Sequence, residues 1–189
     1  MLDQGHVSYS DVCPLHGHFS KNILSTIESH GVLSNYVSMI NYELENRVNY
    51  PLRIDTSKNS EIPNKSFIID AIPQMMESFL HVVTETCYWE TKQHLTEKIF
   101  KPIVVRRPFI LVGAPGNLQY LKGYGFKTFA PYINESYDSV QDPLLRLKFI
   151  TEEMKRIVAL SESEKSNLYS KLYEIAKFNR ERFFSQDFF

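Results

Sequence analysis

Cysteine is scarce in this chain: Cys13 and Cys87 are the only two among 189 residues. That excludes a disulfide scaffold and favours a reducing compartment. Net charge is nearly absent too, at −1, so no overall field draws the chain to nucleic acid. No apolar run approaches the roughly 18 residues that a membrane span needs. The opening residues, MLDQGHVSYSDVCPLHGH, have neither a basic nor an apolar stretch and do not read as a signal peptide. The expectation is a cytoplasmic protein with no membrane span and no nucleic-acid partner. Familiar catalytic signatures are missing as well: there is no G-x-S-x-G, no glycine-rich turn followed by G-K-[ST], and no G-x-G-x-x-G. Internal repeats and low-complexity linkers are also missing.

What is present is ordinary globular material. Hydrophobic residues make up 43% and charged residues 23%, enough to bury a core in one domain, or in one domain with an extension. Thirteen Phe and eleven Tyr give a large aromatic surface, part of it available for packing between chains. Cys13, His16 and His18 form C-x-x-H-x-H. No second cluster follows at zinc spacing, so neither a metal nor another cofactor is expected.

Residues 1–66 read as a mainly helical N-terminal region. In SKNILSTIESHG, Ser20 is placed to cap, Ile23, Leu24 and Ile27 share a face, and Gly31 terminates. A second helix follows over residues 32–47, then a short strand in PLRID and a polar, breaker-rich loop over residues 55–66. Residues 67–189 change rhythm. Pro73 opens a short helix, and LHVVTET reads as a strand. TEKIFKPIVVR is helical at least to the residue before Pro102, and FILVG is a strand buried on both faces. PGNLQYLKGYG is a helix, FKTF a third strand, and two helices close the chain. Asp142 and Pro143 start the first of these, and a Ser161–Glu164 capping box starts the second. The stripe Leu168, Tyr169, Leu172, Ile175 and Phe178 marks its core face. The fold class is therefore α/β: a small parallel Rossmann-like sheet with a helical N-terminal extension and two C-terminal helices.

Ligands on parallel sheets bind beyond the carboxyl ends of the strands. Three segments converge there: Val83 to Cys87, with Thr84-Glu85-Thr86 at the strand end, the helix start Thr96-Glu97-Lys98, and the turn from Gly113 to Asn117. A helix N-terminus offers free N–H groups and partial positive charge, which suit a phosphate. Lys98 and Lys101 add cationic charge, and Glu97 is a carboxylate of the kind that accepts from vicinal hydroxyls. A plainer account stands beside this one, in which Thr96 caps, Glu97 complements the helix dipole and Lys98 is solvated. Thr84 and Glu85 are likewise either sugar-facing groups or a polar strand end. The glycines of the 113–117 turn either admit a ligand or merely tighten the chain. His81 reads as a packed or surface residue, and Arg106-Arg107 as a solvated pair or an anion contact.

In order, VVTET, LTEKIFKP, FILVGAPGN and GFKTF resemble the donor-binding half of GT-B-fold glycosyltransferases. The likeness is to fucosyltransferase-type enzymes and to glycosyltransferase-like proteins of phages and large viruses, and it spans residues 79–150. The resemblance implies a metal-independent glycosyltransferase, or its donor-binding domain, acting from a nucleoside diphosphate sugar onto a glycan or protein acceptor. Glu97 would hold ribose, and Lys98 the diphosphate. Thr84 and Glu85 would lie against the donor sugar, with Asn117 and the Gly113–Gly116 turn beside the nucleotide or the helix. A viral member would work in the host cytoplasm. Since so little chain precedes the donor-like unit, the acceptor half would be reduced, supplied by a partner chain or homo-oligomer, or part of a longer enzyme. Asp11, His16 and His18 are the N-terminal base candidates. The alternative is a non-catalytic nucleotide- or glycan-binding module, or a structural module of a viral assembly.

Overall fold

The computed structural model describes Ser25, residues 27–38 and residues 72–186. The chain divides into two units, Met1–Ser60 and Glu61–Phe189. In the first unit, residues 27–30 are helical and Gly31 stops them as expected. It takes a φ of 74° and donates its N–H to the Ile27 carbonyl at 3.1 Å. A 3-10 turn, Ser34–Tyr36, interrupts what the sequence reads as one continuous second helix. Asp11, Cys13, His16, His18, the Ser20 cap, the 51–55 strand and the 55–66 loop lie outside the described residues.

The second unit is built on a β-α-β crossover. Helix α1, Ile72–Glu77, carries Pro73 in its first turn and buries Met75. Strand β1, His81–Thr84, and strand β2, Phe109–Val112, pair in parallel, with His81 opposite Phe109 and Thr84 opposite Val112. Bonds from His81 N to Pro108 O and from Glu85 N to Val112 O, both 2.8 Å, extend the ladder at each end. Strand β2 is apolar throughout, with Phe109, Ile110 and Leu111 buried. In β1 only Val83 is buried, and Val82 and Thr84 face outward.

Helix α2, Glu97–Val104, links the strands and packs on β1. It runs through Pro102 to Val104. Pro102 forgoes one intrahelical bond, a loss of about 3 kcal/mol in a helix interior. Burial of Ile99, Pro102 and Ile103 on the inward face offsets it. The helix ends in a Schellman motif with Arg106 at the left-handed position (φ 55°). Arg106 N bonds Ile103 O, and Arg107 N bonds Pro102 O.

Helix α3, Asn117–Gly123, follows β2. The third strand expected at FKTF does not form, and the described sheet has two strands, in the order β1-β2. The apolar residues of this segment fill the core instead, with Phe129 edge-on to Phe109 at 4.9 Å. Its backbone finds side-chain partners. Asn179, fully buried, accepts from Lys127 N at 2.8 Å and donates to Lys127 O at 2.9 Å, while Phe129 N donates to Glu135. A side-chain amide thus replaces a neighbouring strand.

Helix α4, Pro143–Val158, starts as read, with Asp142 accepting from Leu145 N at 2.7 Å. Helix α5, Glu162–Phe183, starts with the Ser161–Glu164 capping box and packs against α2. Its buried face is Leu172, Ala176 and Asn179. Phe178, expected on that face, is exposed and lies under the Lys127 ammonium at 3.9 Å.

Candidate functional site

At the carboxyl end of β1, Glu85 turns inward and is 5% exposed. Its carboxylate accepts twice from one residue: Thr96 N at 3.1 Å and the Thr96 hydroxyl at 2.7 Å. This pair ties the strand end to the first residue before α2. Thr96 Oγ1 in turn accepts from Lys98 N at 3.3 Å, which is the helix cap, and from Lys98 Nζ at 3.2 Å. The same ammonium reaches Glu97 Oε1 at 3.3 Å and Thr86 Oγ1 at 3.5 Å. Glu85, Thr96, Glu97 and Lys98, read from the sequence as one edge, thus form one hydrogen-bonded network.

Within it the roles differ from residue to residue. Glu85 faces protein and sets the position of Thr96 and, through it, of Lys98. Glu97 and Lys98 keep partly exposed side chains, 22% and 40%, and are the pair that solvent or a ligand reaches. Partial burial alone would raise the Glu97 pKa. Its own backbone N–H and the charges of Lys98 and Lys101 outweigh that, and the carboxyl sits below the ordinary glutamate value. Lys101, one turn further on, also depresses the pKa of His81, after the larger effect of burial. Thr84 is exposed at the strand end, opposite Val112.

The turn after β2 is covered by the protein itself. Asn117, 1% exposed, accepts from His94 N at 3.1 Å and donates to His94 O at 3.2 Å. Gly113 makes room for that amide: a Cβ there would fall 2.5 Å from Asn117 Nδ2. Gly116, at φ 81°, lies against the Gln93 side chain. Gly116 thus admits Gln93 and Gly113 admits the Asn117 amide, which holds the 93–94 segment over the turn. The amides at the start of α3 are also occupied. Asp138, which the sequence reading did not single out, accepts from Leu118 N at 2.9 Å and Gln119 N at 3.2 Å. Burial raises its pKa against the pull of those N–H groups. A cap supplied from a distant turn leaves no local spacing to read.

Three arginine side chains are engaged by the protein itself, and one of them, Arg146, is buried. Arg107 donates to the Tyr169 hydroxyl and the Met76 carbonyl, and Arg106 lies over the Tyr173 ring. Arg146, 1% exposed, donates to Val140 O at 2.7 Å, Gln141 O at 3.1 Å and Tyr88 O. Its guanidinium also sits on the Tyr88 ring, 4.5 Å from the centroid.

Two open cavities lie away from this edge. One, of about 350 Å³, includes Lys122, Glu135 and Asp138 in its lining, and another, of about 740 Å³, includes Lys127, Tyr132 and Lys171. The carboxylates of the first already accept from main-chain N–H groups, Glu135 from Phe129 and Asp138 from α3. In the second, Lys127 and Lys171 lie over the rings of Phe178 and Tyr132. The strand edge is the better candidate, because solvent-reachable groups of both signs converge there at a helix start. Among the described residues no group of three or more His, Cys, Asp or Glu is placed to hold a metal ion. No helix among them is long and apolar enough to cross a membrane.

Compared with protein families, curated proteins and solved structures, the chain matches none. What stands is a mixed helix and sheet unit with a two-stranded parallel sheet and a charged, hydrogen-bonded edge.

Proposed function

We propose that this chain is the donor-binding part of a glycosyltransferase of GT-B type, with the second unit as a reduced Rossmann-like domain. Its donor is a nucleoside diphosphate sugar, and its acceptor a glycan or a protein. The observation that carries the reading is the placement of Lys98. Its ammonium is held at the carboxyl end of a parallel strand pair, beside the start of α2, by a threonine fixed on a buried glutamate.

That geometry supports each role. Diphosphate oxygens replace the neutral hydroxyls of Thr86 and Thr96, both at 3.2 Å or more from Lys98 Nζ, because an anionic acceptor adds Coulomb attraction to the ammonium that a neutral hydroxyl lacks. Lys101 and the N-terminal dipole of α2 add to the attraction. Glu97, held ionised, accepts from two ribose hydroxyls. When the sugar leaves, negative charge develops on the nucleoside diphosphate, and this preorganised positive end stabilises it. No metal is required for that work. An acceptor half from a partner chain or a second copy completes the cleft.

Calorimetric titration with UDP, GDP, ADP and CMP tests the reading. One of them binds with micromolar affinity, and Lys98→Ala and Glu97→Ala each weaken it at least tenfold. If none binds, the proposal falls. A non-catalytic module is the second reading, favoured by the way Glu97, Thr86 and Thr96 already engage Lys98. Hydrolysis of the matching nucleotide sugar separates the two.

A further inference from the structure

Between Glu85 and Thr96 the chain leaves the sheet edge and returns to it, making a closed loop over residues 86–95. The loop is tied at several points. Its neck is the Glu85–Thr96 pair, and its returning limb is held by Asn117 on both main-chain groups of His94. Its outgoing limb is held at Tyr88, whose carbonyl accepts from Arg146, whose ring lies on that guanidinium, and whose hydroxyl donates to Pro143 O at 2.6 Å.

What this anchoring presents is Trp89, the single tryptophan of the chain. Its side of the loop is open: Trp89 is 53% exposed, set edge-on to Tyr88 at 5.7 Å. A large apolar ring left in water is unfavourable. Yet its neighbour Tyr88 is tethered at three points that hold the segment carrying Trp89 in place. Glu90, Thr91 and Lys92 follow in the chain, all exposed, and bring carboxylate, hydroxyl and ammonium to the same stretch of loop. An exposed aromatic plate on a loop that also carries exposed donors and acceptors matches a pyranose, whose C–H face is apolar and whose rim carries hydroxyls. Thr86, the first residue of the loop, reaches Lys98 Nζ at 3.5 Å, so the loop springs from the donor edge itself.

We propose that Trp89 is the stacking plate for a neutral hexopyranose of the acceptor. Its acceptor role rests on the donor reading above; sugar binding at Trp89 does not. Tyr88 and Arg146 are positioning residues for the plate.

Trp89 supplies its own probe. The full chain is titrated with maltotriose, cellotriose, mannotriose and N-acetylchitotriose while tryptophan emission is followed, and the affinity is measured in parallel by calorimetry. At least one saccharide shifts or quenches the emission saturably. Trp89→Ala lowers that affinity at least tenfold, Trp89→Phe keeps most of it, and nucleotide affinity stays within twofold of the parent in both variants. Tyr88→Ala, with Trp89 intact, lowers saccharide affinity as well. The proposal is overturned if no saccharide moves the emission, or if Trp89→Ala leaves saccharide affinity unchanged. It is equally overturned if nucleotide affinity is what Trp89→Ala removes, since the ring then stacks a base. Should saccharide binding persist while no nucleotide binds, the plate stands and the donor reading alone fails.

Discussion

Truncating Glu85 probes the joint on which the site depends. Its carboxylate accepts from Thr96 N and from the Thr96 hydroxyl while 5% exposed. A hydrogen bond to a charged group contributes about 1.5–3 kcal/mol. Thr96 is only half-buried, so water recovers part of the loss, and the low end applies to each bond. Glu85→Ala should therefore destabilise the fold by about 3 kcal/mol. Glu85→Gln keeps the stem and an acceptor for Thr96 N. Its amide N–H₂ would face Thr96 Oγ1, which already accepts from Lys98 N and Nζ, leaving the hydroxyl hydrogen unpaired; the expected loss is about 1 kcal/mol. Urea denaturation of the parent, both variants, Thr96→Ala and the Glu85→Ala/Thr96→Ala double variant gives the coupling directly. A coupling energy of about 1.5–2 kcal/mol is expected for residues sharing one network. Losses that simply add, or a Glu85→Ala variant within about 0.5 kcal/mol of the parent, would refute the clasp. Because Glu85 touches Lys98 only through Thr96, the same variant should also weaken nucleotide binding.

Gly113→Ala should cost about 2–3 kcal/mol, since its Cβ meets a buried, doubly bonded Asn117 at 2.5 Å. Gly116→Ala should cost only about 1–1.5 kcal/mol of left-handed strain, because the Gln93 end that it meets is exposed and swings away; thermal melts rank the two, and the reverse order contradicts the account. Asn179→Ala strips both partners from the Lys127 backbone and should lose about 2–4 kcal/mol, read as a drop in urea midpoint. Burial raises the Glu135 pKa, although Thr128, Phe129 N–H and Lys122 pull it down. The folded state therefore binds this proton more tightly than the unfolded chain. The stabilisation is full below the ordinary glutamate value of 4.5 and is lost as pH rises through the folded value. The stability difference, parent minus Glu135→Gln, should therefore fall as pH rises above 4.5, and a flat or rising difference contradicts the assignment.

Local rules carried much of the second unit. Pro73, Asp142 with Pro143, the Ser161–Glu164 box and the apolar run at Phe109 each act within a few residues, and each is where its pattern places it. FKTF misled because apolar, β-prone residues serve a core equally well without a strand. The partner that prevents a ladder there, Asn179, lies far along the chain. Asp138 at α3 and Asn117 on His94 are of the same kind, polar groups pairing across the fold with no periodicity to betray them. The site was legible as a cluster, since strand end and helix start must meet in a β-α-β unit. Its division of labour was not. Whether Glu85 faces a ligand or the neighbouring Thr96 depends on one side-chain direction, which composition and spacing do not encode.

The proposed nucleoside diphosphate site is Glu97 and Lys98, at the carboxyl edge of β1 and β2. Amide hydrogen exchange on the full chain, with and without saturating UDP or GDP, tests it most directly. Slowed exchange is expected in residues 96–101, lost in Lys98→Ala, with little change in residues 118–138 around the cavity of about 350 Å³. Protection confined to residues 118–138, or none anywhere at millimolar nucleotide, would contradict it.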